Sequence, residues 1–425
     1  MAQGVEDNRE HIVIVGGGIV GVCTAYFLVQ HPQFDPSKYR ITLIESHKVA
    51  GGASGKAGGL LALWAFPDEI VPLSFRLHEE LSKKYDGGNK WGYRRVAAIS
   101  LDADTSKLEN EEQVKKLEEK EQTGQNFAAT KMGQGDLKKS SGVLLRGSKK
   151  KVPSGMEWLN ASVVDSFYSL GGTNVTAQVH PYKFTSTVLE KAMEESKGAL
   201  ELVYGKVENI IRCEETNLAS GVTYMNSERH LETLEAEKVV ITAGPWTSKI
   251  LPECPIGGRR SHSLTLDPHG GLLSPHAVFT ELKVSPTRYF SPEIYSRPDE
   301  VYICGEGDSQ ELPEGVDQVE VSSEICDDIF ECASKLSHAI RKGKITCKQA
   351  CYLPVVESAA TGPLIGETNV PDLFVSAGHS CWGINNAPAT GKVMSEVILE
   401  GKAKSANVKA FDPSLYFDAN ILVYE

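Results

Sequence analysis

The sequence predicts an α/β protein, and the same pattern near each end of the chain carries that prediction. Near the start, residues 11–15 are β-branched and apolar, and a glycine-rich segment and helical patterning at 22–30 precede a second strand-like run at 40–44. Near the end, a strand at 373–377 leads through a glycine-containing loop into a helix at 387–399. Strands that alternate with helices are typical of a parallel sheet covered by helices.

The middle of the chain is more varied. Composition turns polar at 102–151, which predicts a polar insertion there. Within it, a basic patch (residues 138–151) contains Lys138, Lys139, Arg146, Lys149, Lys150 and Lys151. Further on, the patterning predicts a helix at 182–196 and strands at 200–204, 207–212 and 238–242, followed by a β-rich stretch to about residue 304. We interpret this stretch as a second, separate sheet.

Length, charge and apolar stretches indicate the number of domains and argue against nucleic-acid binding and a membrane span. With 425 residues, of which 41% are hydrophobic, the chain is long enough for two or three domains. The net charge of -12 repels polyanions and argues against nucleic acid as a partner. The longest apolar stretch, residues 60–66, ends before Pro67 and is too short to span a membrane.

The polar N-terminus and the cysteines bear on the compartment. The apolar run at 12–15 is broken at once by glycines, so no secretory signal is expected. Nine cysteines, an odd number with no C-x-x-C, argue against a disulfide framework or a metal site such as zinc. We therefore predict a cytoplasmic protein without a transmembrane segment. Peripheral contact with endosome or Golgi membranes through the basic patch is the alternative, and an inert solvated patch is the simpler reading.

The first glycine loop predicts a dinucleotide site. Gly16, Gly18 and Gly21 have the G-x-G-x-x-G spacing, follow a predicted strand and open a predicted helix. Such a turn is tight, lets the backbone approach a pyrophosphate, and lets the helix pack closely on the strand. The amides at Ile19 and Val20 begin the helix and would face the phosphates. This predicts a Rossmann-like βαβ unit.

A carboxylate ends the next predicted strand. Glu45, followed by Ser46, is placed to accept hydrogen bonds from the adenosine ribose hydroxyls. A negative charge there would repel a 2′-phosphate, which disfavours NADP. NAD and FAD both remain open at this point.

A second glycine-rich segment, residues 51–59, favours FAD, because an NAD site needs only one such loop. We expect it to hold the second phosphate and the ribityl chain, with Lys56 as a counter-charge. The candidate contacts are Gly52, Ala53, Ser54, Gly58, Gly59 and Leu60. A flexible linker is the alternative interpretation.

Five segments together resemble the D-amino-acid oxidase family of FAD-dependent oxidoreductases, with most similarity to a fungal branch. They are GGGIVG, ITLIES, GGASGKAGG, VVITAGPWTSKIL and LFVSAGHSCWGINNAPATGKVMSEVI. The resemblance implies a Rossmann-like FAD-binding domain of the glutathione-reductase type, interleaved with a substrate domain built on a mixed sheet. It implies residues 9–75, 175–250 and 345–425 for the FAD domain, and 76–174 and 251–344 for the substrate domain.

The resemblance also implies further cofactor contacts. Val207 would contact the adenine, Ala243 and Gly244 the phosphate region, and Trp246 follows in the same segment. Beside the flavin ring it places Gly378, His379, Ser380, Gly383, Ile384 and Asn385. The positive end of the helix predicted at 387–399 would stabilise negative charge on the reduced ring.

One position departs from the family. Amino-acid-oxidising relatives carry an Arg that binds the substrate carboxylate where this chain has Leu353, so a simple amino-acid substrate is in doubt. The candidate catalytic residues are Arg260 and His262 as replacements, with exposed charges at the start of a strand as the alternative. His379 would donate to the flavin or contact the substrate, or else only cap and order its loop, and Trp382 is chiefly a wall. Cys351 lies where some relatives attach flavin covalently, but we expect non-covalent FAD because a free cysteine is usually a small buried hydrophobe.

The resulting hypothesis is an FAD-dependent oxidase or dehydrogenase that oxidises a C–N bond of an amine or amino-acid-like molecule. Hydride would pass to flavin N5, with O2 as one candidate electron acceptor. A flavin-bound scaffold or trafficking factor with little catalysis is the alternative, motivated by Leu353 and the basic patch. A plain NAD dehydrogenase is a third possibility.

Overall fold

The computed structural model describes residues 7–108, 152–357 and 362–420, so the basic patch lies outside the described residues. The strands are β1 (Glu10–Val15), β2 (Tyr39–Glu45), β3 (Leu60–Ala62), β4 (Arg94–Arg95), β5 (Ala97–Asp104), β6 (Val164–Gly171), β7 (Thr176–Gln178), β8 (Leu200–Arg212), β9 (Ala219–Asn226), β10 (Leu231–Glu235), β11 (Lys238–Ile241), β12 (Ile256–Asp267), β13 (His276–Lys283), β14 (Tyr289–Phe290), β15 (Glu293–Ser296), β16 (Val301–Asp308), β17 (Lys344–Val356), β18 (Leu364–Glu367) and β19 (Leu373–Ala377). The helices of these ranges are α1 (Ile19–Val29), α2 (Ala53–Lys56), α3 (Val71–Tyr85), α4 (Gly87–Trp91), α5 (Pro181–Glu195), α6 (Thr247–Ile250), α7 (Ser323–Leu336), α8 (His338–Arg341) and α9 (Gly383–Glu400). None of them is both long and apolar enough to cross a membrane.

The first sheet has the strand order β10-β9-β8-β2-β1-β11-β19-β18. Its centre, from β8 to β19, is parallel. Alternate residues of β1 enter two different cores: Ile12 and Ile14 pack with helix α1, whereas Val13 and Val15 pack on the opposite face. A strand buried on both faces must be apolar throughout, which explains the uninterrupted run that the sequence showed. The predicted α/β fold is confirmed.

The second sheet has the order β17-β12-β16-β15-β13-β5-β6, with β14 beside β13. Strands β5 and β13 run parallel, while the other pairs of this sheet are antiparallel. The amphipathic helix α7 covers one face, where Ile329 and Leu336 meet Leu264 and Ile303. The expected mixed sheet is therefore present.

The two sheets meet along β17. This strand pairs with β12 from Ile256↔Val356 to Asp267↔Lys344, so residues 345–356, which we expected in the cofactor domain, belong to the second sheet. Within this paired range, Val355 also forms an isolated bridge with His379. One long strand thus reaches from the second sheet to the C-terminal loop. The expected insertion also overlaps the second sheet, because residues 102–104 lie in β5.

Two predicted boundaries are corrected by tertiary packing. The strands predicted at 200–204 and 207–212 form one strand, β8. Gly205 does not interrupt it, because the ring of Tyr224 packs where a Cβ would lie, 2.3 Å from Cδ2. Helix α9 begins at Gly383, not at residue 387, and contains Pro388 in its interior. The proline has no N–H for the Ile384 carbonyl, and His78 Nε2 donates to that oxygen instead, at 2.9 Å.

Candidate active site

A cavity of about 490 Å³ lies at the carboxyl ends of β1, β2, β11 and β19. Strand β1 lies between β2 and β11, so the strands that follow it in the chain are added on both of its sides. In open α/β sheets ligands bind at such a switch point. The predicted residues that line the cavity are Gly16, Gly18, Ile19, Val20, Glu45, Ser46, Gly52, Ala53, Ser54, Val207, Ala243, Gly244, Trp246, His379, Ser380, Gly383 and Ile384.

The first glycine loop is shaped by close contacts. Gly16 has φ +110°, and a Cβ there would lie 2.5 Å from the Thr242 carbonyl oxygen. A Cβ on Gly21 would lie 2.1 Å from the Gly16 carbonyl oxygen. Gly21 does not line the cavity; its place is the contact of helix with strand, which the third glycine of this spacing permits. Gly18 begins α1 without a side-chain cap.

Glu45 closes the loop from the next strand. Its Oε2 accepts a hydrogen bond from Gly17 N at 2.7 Å, and its Oε1 accepts one from His47 N at 2.9 Å. The side chain is buried and borders the cavity. The backbone donors fix the carboxylate at the end of β2, where a ribose would be recognised.

The second glycine segment contributes its first half to the cavity. Ser54 Oγ accepts a hydrogen bond from Ile19 N at 2.9 Å and so joins α2 to the start of α1. The second half of this segment lies away from the cavity. A Cβ on Gly58 would lie 2.6 Å from the Tyr295 ring, and a Cβ on Gly59 would lie 2.0 Å from the Val179 carbonyl oxygen. Gly58, Gly59 and Leu60 do not line the cavity.

Lys56 also differs from the expected phosphate counter-charge. Its Nζ donates to the Ala350 carbonyl at 2.9 Å, on β17, and burial lowers its pKa. Its backbone carbonyl accepts from Gln349 Nε2 at 3.2 Å. Lys56 therefore links α2 to the second sheet.

The mouth of the cavity has a wall that the sequence did not indicate. Residues 314–318 border it together with Lys206 and Lys249. Lys249 pairs with Glu314, and Lys206 Nζ lies 4.0 Å from Glu314 Oε2. Trp246 Nε1 donates to the Pro313 carbonyl at 2.8 Å. These contacts join segments far apart in the chain, and no motif marks them.

His379 is a buried wall of the cavity, and burial lowers its pKa to about 4. The Thr390 hydroxyl donates to the Asn386 carbonyl at 3.0 Å, so it accepts the proton of His379 Nε2, also at 3.0 Å. The neutral ring therefore carries its proton on Nε2. Nδ1 is buried and has no hydrogen-bond partner among the described residues, so the expected role of His379 toward flavin or substrate stays a prediction.

Of the other residues in the C-terminal loop, some line the cavity and others only hold the loop in place. Gly383 and Ile384 line the cavity at the start of α9, which has no side-chain cap. Asn385 does not line it: its Oδ1 accepts from Ala62 N at 2.8 Å and ties α9 to β3. Gly378, with φ +87°, is also outside the lining, and the Val356 side chain fills the space of its Cβ. Trp382 does not line the cavity; it is buried against Trp64, with ring centroids 5.8 Å apart.

Arg260 and His262 do not line the cavity. The Arg260 guanidinium donates to Asp308 at 2.8 to 3.0 Å through Nε and Nη2. His262 is buried, burial lowers its pKa to about 4, and its Nε2 accepts from Ser322 N at 3.0 Å. Both side chains secure the segment between β16 and α7 to β12. Arg260 is thus engaged as an ion pair and does not replace the missing carboxylate-binding Arg.

Leu353 lines the cavity, whereas its neighbour Cys351 does not. Burial raises the pKa of the Cys351 thiol to about 11. A thiol in this state is a poor nucleophile, because the thiolate is the reactive form.

Comparisons with known proteins agree with this geometry. The model of the family DAO, described as FAD dependent oxidoreductase, matches residues 11–397. TDA3 of Saccharomyces cerevisiae, named as an oxidoreductase, is 43% identical over 98% of this chain and 96% of its own length. C1F5.03c of Schizosaccharomyces pombe, also named as an oxidoreductase, is 38% identical over 96% of this chain and 98% of its own length. The crystal structure of glycine oxidase from Geobacillus kaustophilus shares the fold, with a TM-score of 0.69 at 18% identity over 95% of this chain and 98% of that one.

Proposed function

The chain belongs to the DAO family of FAD-dependent oxidoreductases, and from this premise we propose that it binds FAD non-covalently and oxidises a C–N bond of an amine or amino-acid-like molecule. The observation that carries the proposal is the cavity where both glycine segments and the start of α9 converge. O2 is a candidate electron acceptor.

The residues of the cavity fit a flavin nucleotide. Two buried polar atoms of lining residues, His379 Nδ1 and Ser376 Oγ, have no hydrogen-bond partner among the described residues. Gly244 has φ +58° and open space where a side chain would stand. Unpaired polar groups and bare backbone at a cavity wall are what a polar cofactor with a diphosphate requires. Glu45 would hold the ribose, Gly18 and Ser54 the diphosphate, and residues 379–384 the ring.

Bound FAD supplies the chemistry by accepting a hydride at N5. The chain contributes position and electrostatics. The N-terminus of α9, where Gly383 and Ile384 line the cavity, would favour negative charge there through the helix dipole. The protonated thiol of Cys351 supports non-covalent attachment.

The proposal is tested on purified full-length protein. We expect a flavin absorbance spectrum, release of all flavin into the supernatant on denaturation, and anaerobic bleaching by at least one compound in a panel of amines and amino acids. Protein that remains colourless and does not take up FAD would refute the cofactor assignment. Flavin retained by the denatured chain would refute non-covalent binding.

A flavin-bound scaffold or trafficking factor, associated with endosome or Golgi membranes, is the second candidate. Leu353 favours it, because the usual carboxylate-binding side chain is missing from the cavity wall. A flavin that no compound of the panel bleaches would support this candidate over an oxidase. Deletion of residues 138–151 without any change in localisation would count against it.

A further inference from the structure

Glu293 is a half-buried carboxylate in β15 of the second sheet. Its Oε2 accepts hydrogen bonds from the Tyr295 hydroxyl at 2.5 Å and from the Cys304 thiol at 3.7 Å. Its Oε1 has no hydrogen-bond partner among the described residues. Burial raises the pKa of Glu293 above its ordinary value. One carboxylate oxygen is therefore held in place while the other remains available.

No Lys or Arg side chain of the described ranges forms an ion pair with Glu293. Two nearby cations are engaged elsewhere: Arg297 binds the Ala57 and Gly58 carbonyls and Glu300, and Lys56 binds the Ala350 carbonyl. An ionised carboxylate without a counter-charge is unfavourable in the interior, because it loses its hydration. A cation that arrives with a ligand would remove this cost.

Cys381 shows that Glu293 lies beside open space. Burial, followed by the negative charge of Glu293, raises the pKa of the Cys381 thiol to about 12. Yet the Cys381 side chain is exposed, and it lines the cofactor cavity. Trp382, the next residue, packs in one cluster with Tyr295 and Cys304, and the Cys304 thiol donates to Glu293. Glu293 therefore lies close to the wall of the cavity that Cys381 forms.

The surroundings of Glu293 are aromatic. The Tyr295 ring is paired with Phe279 and Tyr302, at centroid distances of 6.1 and 5.8 Å. Phe279 in turn contacts Trp64 at 6.2 Å, and Trp64 contacts Trp382, next to Cys381. Aromatic faces beside a carboxylate stabilise alkylated ammonium groups through cation–π attraction and charge.

The same region offers nothing for a carboxylate. Leu353 occupies the wall of the cavity, and Arg260 is paired with Asp308. Lys206 and Lys249, which border the opposite mouth near Val207, face Glu314. A substrate carboxylate close to Cys381 would meet the negative charge of Glu293 and no compensating cation of the described residues.

We propose that the small-molecule site next to the flavin takes an alkylammonium cation that lacks a carboxylate, with Glu293 as its counter-charge and the aromatic side chains as its walls. This inference rests on the proposed function, since the bound amine would be the molecule that is oxidised. Glu293 thereby selects amines over amino acids.

The first test is binding of two small ions to the FAD-loaded, full-length protein. Tetramethylammonium chloride and sodium acetate are titrated separately at constant ionic strength, and the flavin absorbance spectrum is the readout. We expect saturable perturbation by tetramethylammonium and none by acetate. Saturable perturbation by acetate alone, or by neither ion, overturns the proposal.

The second test removes the charge. Glu293→Gln keeps the shape and an oxygen for Tyr295 and Cys304, and we expect it to weaken tetramethylammonium binding by about tenfold to a hundredfold, the effect of losing a charged partner. Glu232→Gln is a matched control, because Glu232 accepts from the Tyr224 hydroxyl at 2.5 Å in the first sheet, away from the cavity. Equal affinity in E293Q and E232Q overturns the proposal. If E293Q does not fold, the comparison of the two ions on the unaltered protein still decides it.

The third test separates this inference from the proposed function. Anaerobic flavin reduction is compared within pairs that differ only by a carboxylate: pyrrolidine with proline, and dimethylamine with sarcosine. We expect faster reduction by the amine of each pair. Faster reduction by the amino acids would refute the role of Glu293 and leave C–N oxidation intact. If no compound reduces the flavin while tetramethylammonium still binds through Glu293, oxidation is refuted and the cation site stands.

Discussion

Gly21 shows how one absent β-carbon fixes the distance between a helix and a strand. A Cβ at this position would lie 2.1 Å from the Gly16 carbonyl oxygen and 2.5 Å from Thr242 Oγ1. The Thr242 hydroxyl itself donates to the Val15 carbonyl at 2.8 Å and has little room to move. The start of α1 therefore stays against the sheet, where its amides border the cavity.

We predict that Gly21→Ala weakens FAD binding by about tenfold or more, because an added methyl in a packed contact costs about 1–3 kcal/mol and displaces the helix start. Titration of the apoprotein with FAD measures the dissociation constant. Gly88→Ala is the control, because Gly88 is exposed and its Cβ would approach nothing nearer than the Tyr93 carbonyl oxygen at 3.8 Å. Wild-type affinity in G21A would contradict the prediction.

At the scale of single residues, the sequence predicted the motifs formed by neighbouring residues. It missed the contacts between residues that are distant in the chain. The glycine spacing and Glu45 are read from adjacent residues, and the structure brings them to one cavity. Gly58 was assigned to the cofactor, whereas its bare backbone accommodates the Tyr295 ring from a strand more than two hundred residues away. Glu293 belongs to no motif, because its significance comes from Cys304 and Cys381, which only folding places beside it.

At the scale of elements, helix α9 depends on a donor from another helix. Pro388 cannot donate to the Ile384 carbonyl, and His78 of α3 donates to it at 2.9 Å. The His78 ring is fully buried and packs on Phe184, with centroids 4.8 Å apart. This contact satisfies the carbonyl of a residue that lines the cavity. It thereby holds the start of α9 straight at the site.

A double-mutant cycle tests this substitution of donors. His78→Phe keeps a ring of similar size but removes the donor, and we expect a loss of about 1–3 kcal/mol in the free energy of unfolding, the cost of a buried carbonyl without a partner. In a Pro388→Ala background the new backbone N–H of residue 388 takes over the carbonyl, so the same change should cost less. Urea denaturation of the four proteins measures both costs. Equal costs in the two backgrounds would show that the hydrogen bond is not the reason.

Element boundaries were predicted where periodicity alone decides them, as in β1 and β19. They were misplaced where a distant partner compensates for a breaker. Gly205 stays within β8 because Tyr224 packs over it, and Pro388 stays within α9 because His78 replaces the missing donor. Neither partner is adjacent in sequence, so the pattern predicted a break at Gly205 and a helix that starts at residue 387, next to the proline.

At the scale of the whole molecule, four histidines on different elements have lowered pKa values. Burial lowers the pKa of His78, His180, His262 and His379 to about 4 in each case, from an ordinary value of 6.5. His78, His262 and His379 are buried and His180 is half-buried; His262 lies in the second sheet, and His379 lines the cavity. All four are neutral in the folded protein at neutral pH, which is a property of the entire fold.

This distribution predicts a loss of stability in mild acid. The folded-state pKa of each histidine is below its unfolded value, so between pH 6.5 and about 4 the unfolded chain binds more protons. The free energy of unfolding should therefore fall as the pH decreases through this window, by up to about 1.4 kcal/mol per pH unit for each histidine. Glu293 acts with the opposite sign, because burial raises its pKa, but it is one group against four.

Urea denaturation at a series of pH values across this window measures the slope, and single variants assign it. His78→Phe removes one of the four protonation events, so its free energy of unfolding should depend less steeply on pH than that of the unaltered protein, even though its stability at neutral pH is lower. His230→Phe is the control, because His230 is exposed, and its slope should equal that of the unaltered protein. A slope in H78F as steep as in H230F would show that the buried imidazoles do not set the acid limit of the fold. The destabilisation would then arise from the carboxylates, such as Asp308 and Glu396, whose pKa values the folded state lowers and which lose their stabilising charge at still lower pH.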